Sequence, residues 1–459
     1  MKNNLLTEHL IISAVILAGL GVAGCTTATT RPDDLLRRTL AIVPPTLPLN
    51  SPEFERAMDG RTHSRLLPGN TVTFYQNGSE AYPAMLAAIR SARNRVEFSV
   101  YSYADGLVGR EFLREFTAAA ARGVRVRLTY DRFGSPDIRR EFFAPLAAAG
   151  GEIRTFNPYK AWTWLRLNNR NHQKILTVDG TTAFMGSVNI ADKHNGDGFN
   201  SWRDTVWRVT GPVVAATDRL FTRTWHEAGA NFFRQSLPFI GTFILKDTVE
   251  LPLRLLLDRK EEKFTARATN IPAPAPLTDS FTGVPLRLVA HSPENLSCNL
   301  INMMELAIQA AEKRICLCTP YFIPPPRLRK ALVCARARGV EVTILTQGPS
   351  DVDFMPLASQ RYINYMLKRG VKIYAWPHSI LHAKYMVIDG KWATLGSTNF
   401  DSRSFVLNYE ANYTASDERL AAALEAVFLR DTARAVVYNE YRRTDRKVPW
   451  LLWALRHHF

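Results

Sequence analysis

Short apolar runs recur along the chain in two matching sets. Arg95-Val96-Glu97-Phe98-Ser99-Val100 predicts a strand. A helical stretch around Gly109 to Arg122 follows, then a second strand over Gly123-Val124-Arg125-Val126-Arg127-Leu128. Far downstream, Arg314-Ile315-Cys316-Leu317-Cys318-Thr319 leads into a helix ending near Arg338, and Gly339-Val340-Glu341-Val342-Thr343-Ile344 closes the unit. Ala121-Arg122-Gly123-Val124 and Ala337-Arg338-Gly339-Val340 are near copies. Strand–helix–strand units repeated this way predict parallel pairing and an α/β fold. The repeat implies two similar lobes related by pseudo-twofold symmetry, with mixed sheets flanked by helices and an active site between the lobes.

Each unit is followed by a hairpin pattern. Ile175, Leu176 and Val178, and again Tyr385, Met386, Val387 and Ile388, fit strands that end at Asp179-Gly180 and Asp389-Gly390, strong turn signals. Around these hairpins the same polar residues recur at the same spacing. The first set is His172-x-Lys174, Asp179 and Gly186-Ser187-x-Asn189; the second is His382-x-Lys384, Asp389 and Gly396-Ser397-x-Asn399. Residues two apart on a strand face the same way, so each hairpin would offer an imidazole, an ammonium, a hydroxyl and an amide together. Two such hairpins facing one another make a phosphate site. Lys174, Lys384, Ser187, Ser397, Asn189 and Asn399 are suited to hold phosphate oxygens and neutralise developing charge. One histidine can attack phosphorus while the other protonates the leaving oxygen. Asp179 and Asp389 occupy turn positions, where a structural and a catalytic role are both open.

The doubled pattern resembles the HKD signature of the phospholipase D superfamily. The surrounding residues are similar to its cardiolipin synthase branch: Trp202-Arg203-Asp204-Thr205 and Gly211-Pro212-Val213-Val214 after the first copy, Thr319-Pro320-Tyr321-Phe322-Ile323-Pro324 ahead of the second, and Asn399-Phe400-Asp401-x-Arg403-Ser404 and Asn408-Tyr409-Glu410 beyond it. The resemblance runs from about Val72 to about Tyr438. It implies a ping-pong route through a phosphohistidine, without a metal or other cofactor, and a carboxylate after each motif that orients its histidine. By position these carboxylates are Asp204 and Glu410.

The N-terminus reads as an export signal, with an apolar run from Leu10 to Leu20 and a Val22-Ala23-Gly24-Cys25 segment resembling a bacterial lipobox. Diacylation of Cys25 would anchor the chain, since the run is shorter than the ~20 residues a spanning helix needs. The expected organisation is a signal over 1–25, a tether over 26–67, a first lobe over 68–230, an insertion over 231–283, a second lobe over 284–440 and a basic, aromatic tail over 441–459. Both the insertion and the Trp450/Trp453 tail can be read as packed on the protein or facing lipid. Tyr159, Trp162, Trp164 and Leu165, just ahead of the first motif, can be read as lining an acyl-chain entrance or as packed in the core. Cys316 and Cys318 alternate along a buried strand, and neither cysteines nor histidines show structural-zinc spacing.

A formal charge of +16 fits an anionic partner, lipid or nucleic acid. The lipid anchor selects the membrane, so no nucleic acid is expected. The leading expectation is a cell-envelope phosphatidyltransferase facing the periplasm, with the choice of inner or outer membrane open. It would pass a phosphatidyl group from phosphatidylglycerol, or from phosphatidylethanolamine, to phosphatidylglycerol. Its rivals are a hydrolase giving phosphatidic acid and a phosphodiesterase acting on nucleic acid.

Overall fold

The computed structural model describes residues 47–158, 169–229, 280–295, 298–352 and 355–438. The lipobox with Cys25, the aromatic approach at Trp162 and Trp164, most of the inter-lobe insertion and the Trp450/Trp453 tail lie outside the described residues.

In the first lobe the strands are β1 (Leu67–Gln76), β2 (Arg95–Val100), β3 (Arg125–Asp131), β4 (Glu152–Phe156), β5 (Arg170–Asn171), β6 (Ile175–Val178), β7 (Thr182–Gly186) and β8 (Thr205–Thr210). The second lobe contributes β9 (Ser280–His291), β10 (Arg314–Cys318), β11 (Phe322–Ile323), β12 (Glu341–Gln347), β13 (Lys372–Trp376), β14 (Tyr385–Ile388), β15 (Trp392–Gly396), β16 (Phe400–Asp401), β17 (Asn408–Ala415) and β18 (Val436–Val437). Among the described residues, sixteen of these strands join one continuous sheet. Its order is β18-β13-β12-β10-β14-β15-β17-β9-β1-β8-β7-β6-β2-β3-β4, with β5 attached to β17. Read outward from the antiparallel β1/β9 seam, the two sides match strand for strand as far as β4 and β13, and β18 extends the second side. In each, a parallel pair (β2/β3, β10/β12) is joined to an antiparallel hairpin (β6/β7, β14/β15). The expected pseudo-twofold is present, and the lobes share one sheet.

The helices are α1 (Pro52–Thr62), α2 (Asn77–Ser91), α3 (Leu107–Ala121), α4 (Ala144–Ala148), α5 (Val213–Gly229), α6 (Asn299–Ala310), α7 (Pro326–Ala337), α8 (Met355–Leu367), α9 (Ser402–Val406) and α10 (Glu418–Ala433). In α3, Val108, Phe112, Phe116 and Ala119 fall on one face and are buried against β2 and its neighbours. Burying each phenyl ring stabilises the helix-on-sheet contact by roughly 1.5–3 kcal/mol. The repeated Ala-Arg-Gly-Val has a structural explanation. Gly123 and Gly339 end their helices in the left-handed region, at φ 87 and 94. Arg122 and Arg338 reach back to the last carbonyls of the preceding helix, Ile89 and Arg90 in one lobe, Ile308, Gln309 and Ala311 in the other.

Two boundaries need correction. Residues 52–62, expected to be tether, form α1, because Ser51 caps the helix at Phe54 N and Pro52 starts it. Phe54 and Met58 lie one turn apart and sink fully into the second lobe's core. The insertion ends before Ser280, where β9 begins.

Candidate active site

His172 and His382 line one cavity of about 800 Å³ between the lobes, together with Asn189 and Asn399. The chain brings them together through crossed backbone pairing. The stretch before the first motif runs parallel to the start of β17, with Arg170 beside Asn408 and Asn171 beside Tyr409, and His172 N donates to Tyr409 O at 3.0 Å. In the symmetric position Leu381 bridges Arg203, and His382 N donates to Arg203 O at 2.8 Å. Both H-x-K triplets therefore sit in extended segments just ahead of β6 and β14, which begin only at Ile175 and Tyr385. The expectation that they lie on the strands is corrected: their backbone groups turn to the opposite lobe.

The carboxylates cross in the same way. Glu410 holds His172, with Nδ1 at 2.9 Å from Oε1 and 3.1 Å from Oε2. Asp204 holds His382, with Nδ1 2.8 Å from Oδ1. The expectation that each carboxylate orients the histidine of its own motif is thus overturned, because Asp204, just ahead of β8, and Glu410, in β17, reach across the pseudo-twofold. A carboxylate can only accept, so Nδ1 carries the proton and Nε2 keeps its lone pair. Burial is the main cause that lowers both imidazoles, His172 to about 4 and His382 well below its ordinary value. Burial alone would raise the carboxyls, but their histidine partners prevail and hold Glu410 below, and Asp204 well below, the usual range. At neutral pH each pair is a neutral imidazole on a carboxylate.

Ser187 and Ser397 are fully buried behind the carboxylates. Ser187 Oγ donates to Asp204 at 2.6 Å and Ser397 Oγ to Glu410 at 2.5 Å. The expectation that they bind phosphate is corrected to bracing the groups that hold the imidazoles. Lys174 Nζ donates to His172 O at 2.6 Å, and Lys384 Nζ to His382 O. Both ammonium groups are buried, which lowers Lys174 well below its usual value and Lys384 to about 8. Each still has donors for an anion arriving between the lobes.

Asp179 and Asp389 lie elsewhere. Each occupies the left-handed region at its turn, φ 54 and 56, followed by a positive-φ glycine. Asp179 accepts the amides of Arg93, Asn94 and Arg95 at 2.8–2.9 Å. Asp389 accepts those of Glu312, Lys313 and Arg314 at 2.6–2.9 Å. Of the two roles open to them, the geometry assigns the structural one: they pin the hairpin to the start of β2 or β10.

Several neighbours were not singled out from sequence. His194 is fully buried, with Nδ1 2.6 Å from Asp204 Oδ2, so Asp204 serves two imidazoles. On the other side Glu410 instead has Asn408, whose Nδ2 donates to it at 3.2 Å. Tyr101 meets His172 edge-on, ring centres 5.1 Å apart, and Trp202 lies 5.1 Å from His382. The signal for His194 was its position five residues after Asn189, where the second copy has Ser404. His194, Asp204 and His382 place donor atoms within 4.8 Å of one another. Both Nδ1 atoms are engaged with the carboxylate, so hydrogen bonding accounts for the cluster.

The family described as "Cardiolipin synthase, PLD-like domain" matches residues 85–225 and 304–432. The chain is 30% identical over 384 residues to the major cardiolipin synthase ClsA of Bacillus subtilis (strain 168), covering 83% of this chain and 73% of that one. It is 31% identical over 398 residues to cardiolipin synthase A of Pseudomonas fluorescens (strain SBW25), covering 85% and 75%. The crystal structure of phosphatidylserine synthase from Haemophilus influenzae Rd KW20 superposes with a TM-score of 0.63 at 15% identity, over 88% of this chain and 97% of that one. That last likeness shows the shared fold.

Proposed function

Given a chain that belongs to the cardiolipin synthase family with its phospholipase D-like domain, we propose that this phosphatidyltransferase makes cardiolipin by passing a phosphatidyl group between lipids through His172. The observation that carries the reading is the pair of neutral imidazoles on one cavity, each held at Nδ1 by a carboxylate of the opposite lobe. His172 Nε2 attacks the donor phosphorus, and the P–O bond to the departing headgroup breaks. When the anionic phosphodiester binds, its charge beside Nε2 favours uptake of a solvent proton there, and His382 gives that proton to the leaving oxygen. An incoming phosphatidylglycerol hydroxyl then loses its proton to His382 as its oxygen bonds to phosphorus and the P–N bond to His172 breaks. Glu410 stabilises the positive charge on His172 in the intermediate, as a buried carboxylate does for any imidazolium. Lys174, Lys384, Asn189 and Asn399 hold the non-bridging oxygens; a bound phosphate raises the lysines back towards their charged form.

Phosphatidylglycerol is the proposed acceptor, and phosphatidylglycerol or phosphatidylethanolamine the proposed donor. The relatives are bacterial cardiolipin synthases, whose named product is a membrane lipid. Among the described residues no helix is long and apolar enough to cross a membrane. Attachment is proposed through diacylated Cys25, on the apolar run from Leu10 to Leu20 and the Val22-Ala23-Gly24-Cys25 segment, with the catalytic lobes facing the periplasm; metabolic labelling with a fatty acid tests it, and an unlabelled chain would remove the anchor. Purified protein incubated with labelled phosphatidylglycerol, with and without phosphatidylethanolamine, tests the chemistry. Cardiolipin as the main product is expected. Phosphatidic acid without cardiolipin would make the protein a hydrolase.

A further inference from the structure

We propose a second phospholipid site, away from the catalytic cavity, in which Arg65, Arg219 and Arg223 bind the phosphate headgroup of an anionic lipid and seat the enzyme on its bilayer. The three arginines line a separate cavity of about 750 Å³ formed by the loop after α1, one face of α5 and the end of β9, and it shares no lining residue with the catalytic one. Arg219 and Arg223 are four residues apart on α5 and exposed, as is Arg65. Like charges at this helical spacing destabilise a helix by a few tenths of a kcal/mol unless something answers them. Among the described residues none of the three makes a hydrogen bond or an ion pair. Arg95, Arg127, Arg287 and Arg314, by contrast, each have a carboxylate partner.

The lining of the cavity selects the ligand class. Beside the three arginines it carries Leu67, Leu220 and Leu288, and Ser292, with its Oγ buried and without a hydrogen-bond partner among the described residues. Arginines beside leucines with one spare hydroxyl suit an amphiphile: a phosphate for the arginines, glycerol-ester and first acyl carbons for the leucines. A free phosphate would leave the leucines unused. The site is independent of which reaction the catalytic cavity performs.

The test compares the full-length protein with the Arg65→Gln/Arg219→Gln/Arg223→Gln variant on vesicles of pure phosphatidylcholine and of phosphatidylcholine with anionic lipid. Each basic residue near an anionic surface strengthens partitioning about fivefold, so binding to anionic vesicles should fall on the order of 100-fold. Binding to neutral vesicles, and turnover of lipid dispersed in detergent, should be unchanged; the latter also shows that the variant is folded. A control variant, Arg93→Gln/Arg139→Gln/Arg361→Gln, removes the same charge from exposed positions elsewhere. Equal weakening by the control would reduce the effect to bulk charge and overturn the site. So would undiminished binding of the groove variant, or its equal loss on neutral vesicles. Saturable binding of inorganic phosphate at micromolar concentration, lost in the groove variant, would assign the site to a soluble anion. Absence of cardiolipin from the wild type in detergent would sink the synthase reading and leave this one standing.

Discussion

Glu410, in β17, and Asp204, immediately ahead of β8, occupy matching places and hold opposite histidines, yet their surroundings differ. Glu410 serves one imidazole and takes its remaining side-chain bonds from Ser397 and Asn408. Asp204 divides itself between His382 and His194, with Ser187 behind. The symmetric frame gives both imidazoles a carboxylate, and the different second partner of each carboxylate, the His194 imidazole against the Asn408 amide, makes them unequal. Lysine charge opposes a cation on either imidazole, Lys174 and Lys384 at His172 and Lys384 at His382, but only His382 also has a second imidazole, His194, against it. His172 has a carboxylate that no other imidazole shares. The first environment suits a group that passes a proton on; the second suits one that must carry a positively charged phosphoryl adduct.

Loss of either imidazole should have the largest effect. His172→Ala and His382→Ala are expected to lower kcat on the order of 10⁴-fold or more with the fold intact. A phosphodiester with an activated aryl leaving group separates the two, because it needs no acid. His382→Ala should accumulate label on His172, whereas His172→Ala should accumulate none; label on His382 in the latter would reverse the assignment.

Glu410→Gln and Asp204→Asn come next, each expected to cost about 10²–10⁴-fold in kcat, since an amide no longer enforces the tautomer or stabilises the cation. If the division of roles is right, Glu410→Gln should slow formation of the adduct more than its breakdown in single-turnover experiments. The pH profile follows. Protonation of His172, at about 4, removes the lone pair, and deprotonation of Lys384, at about 8, removes a phosphate-binding charge. Activity should therefore fall tenfold per unit below the first limb and decline above the second. Lys384→Arg should move the alkaline limb upward; an unmoved limb would assign it to another group.

His194→Asn makes the Asp204 side resemble the Glu410 side. It should cost about tenfold in kcat with KM for lipid unchanged, and Asn408→Ala only a few-fold. The smallest kinetic effects belong to Asp179→Asn and Asp389→Asn. Each should lower stability by ~1–2 kcal/mol through weakened amide capping and leave kcat as it was, measured by thermal unfolding beside the lipid assay.

What could be read along the chain was what repeats along it. The strand–helix–strand units, the Asp-Gly turns and the two H-x-K segments were visible because their spacing is local. The crossing was not: Glu410 lies 238 residues from His172 and Asp204 178 from His382, and no local period encodes a partner at that distance. Ser187 and Ser397 were misread for a related reason. Hydroxyls beside a phosphate motif look like ligands until the fold sets Asp204 and Glu410 in front of them. The docked α1 was hidden by the Pro- and Thr-rich stretch before it, although Phe54, Met58 and Thr62 already had helical spacing.

The crossed carboxylates also bear on ancestry. Cut between its lobes, the chain would yield two pieces, each with a histidine lacking its carboxylate and a carboxylate lacking its histidine. Two copies of a single piece, set around a true twofold, would restore both. A duplicated gene could thus begin as a self-paired half and, once fused, let the two positions drift apart, as His194 and Ser404 have. Selection would then act on each half through the chemistry of the other.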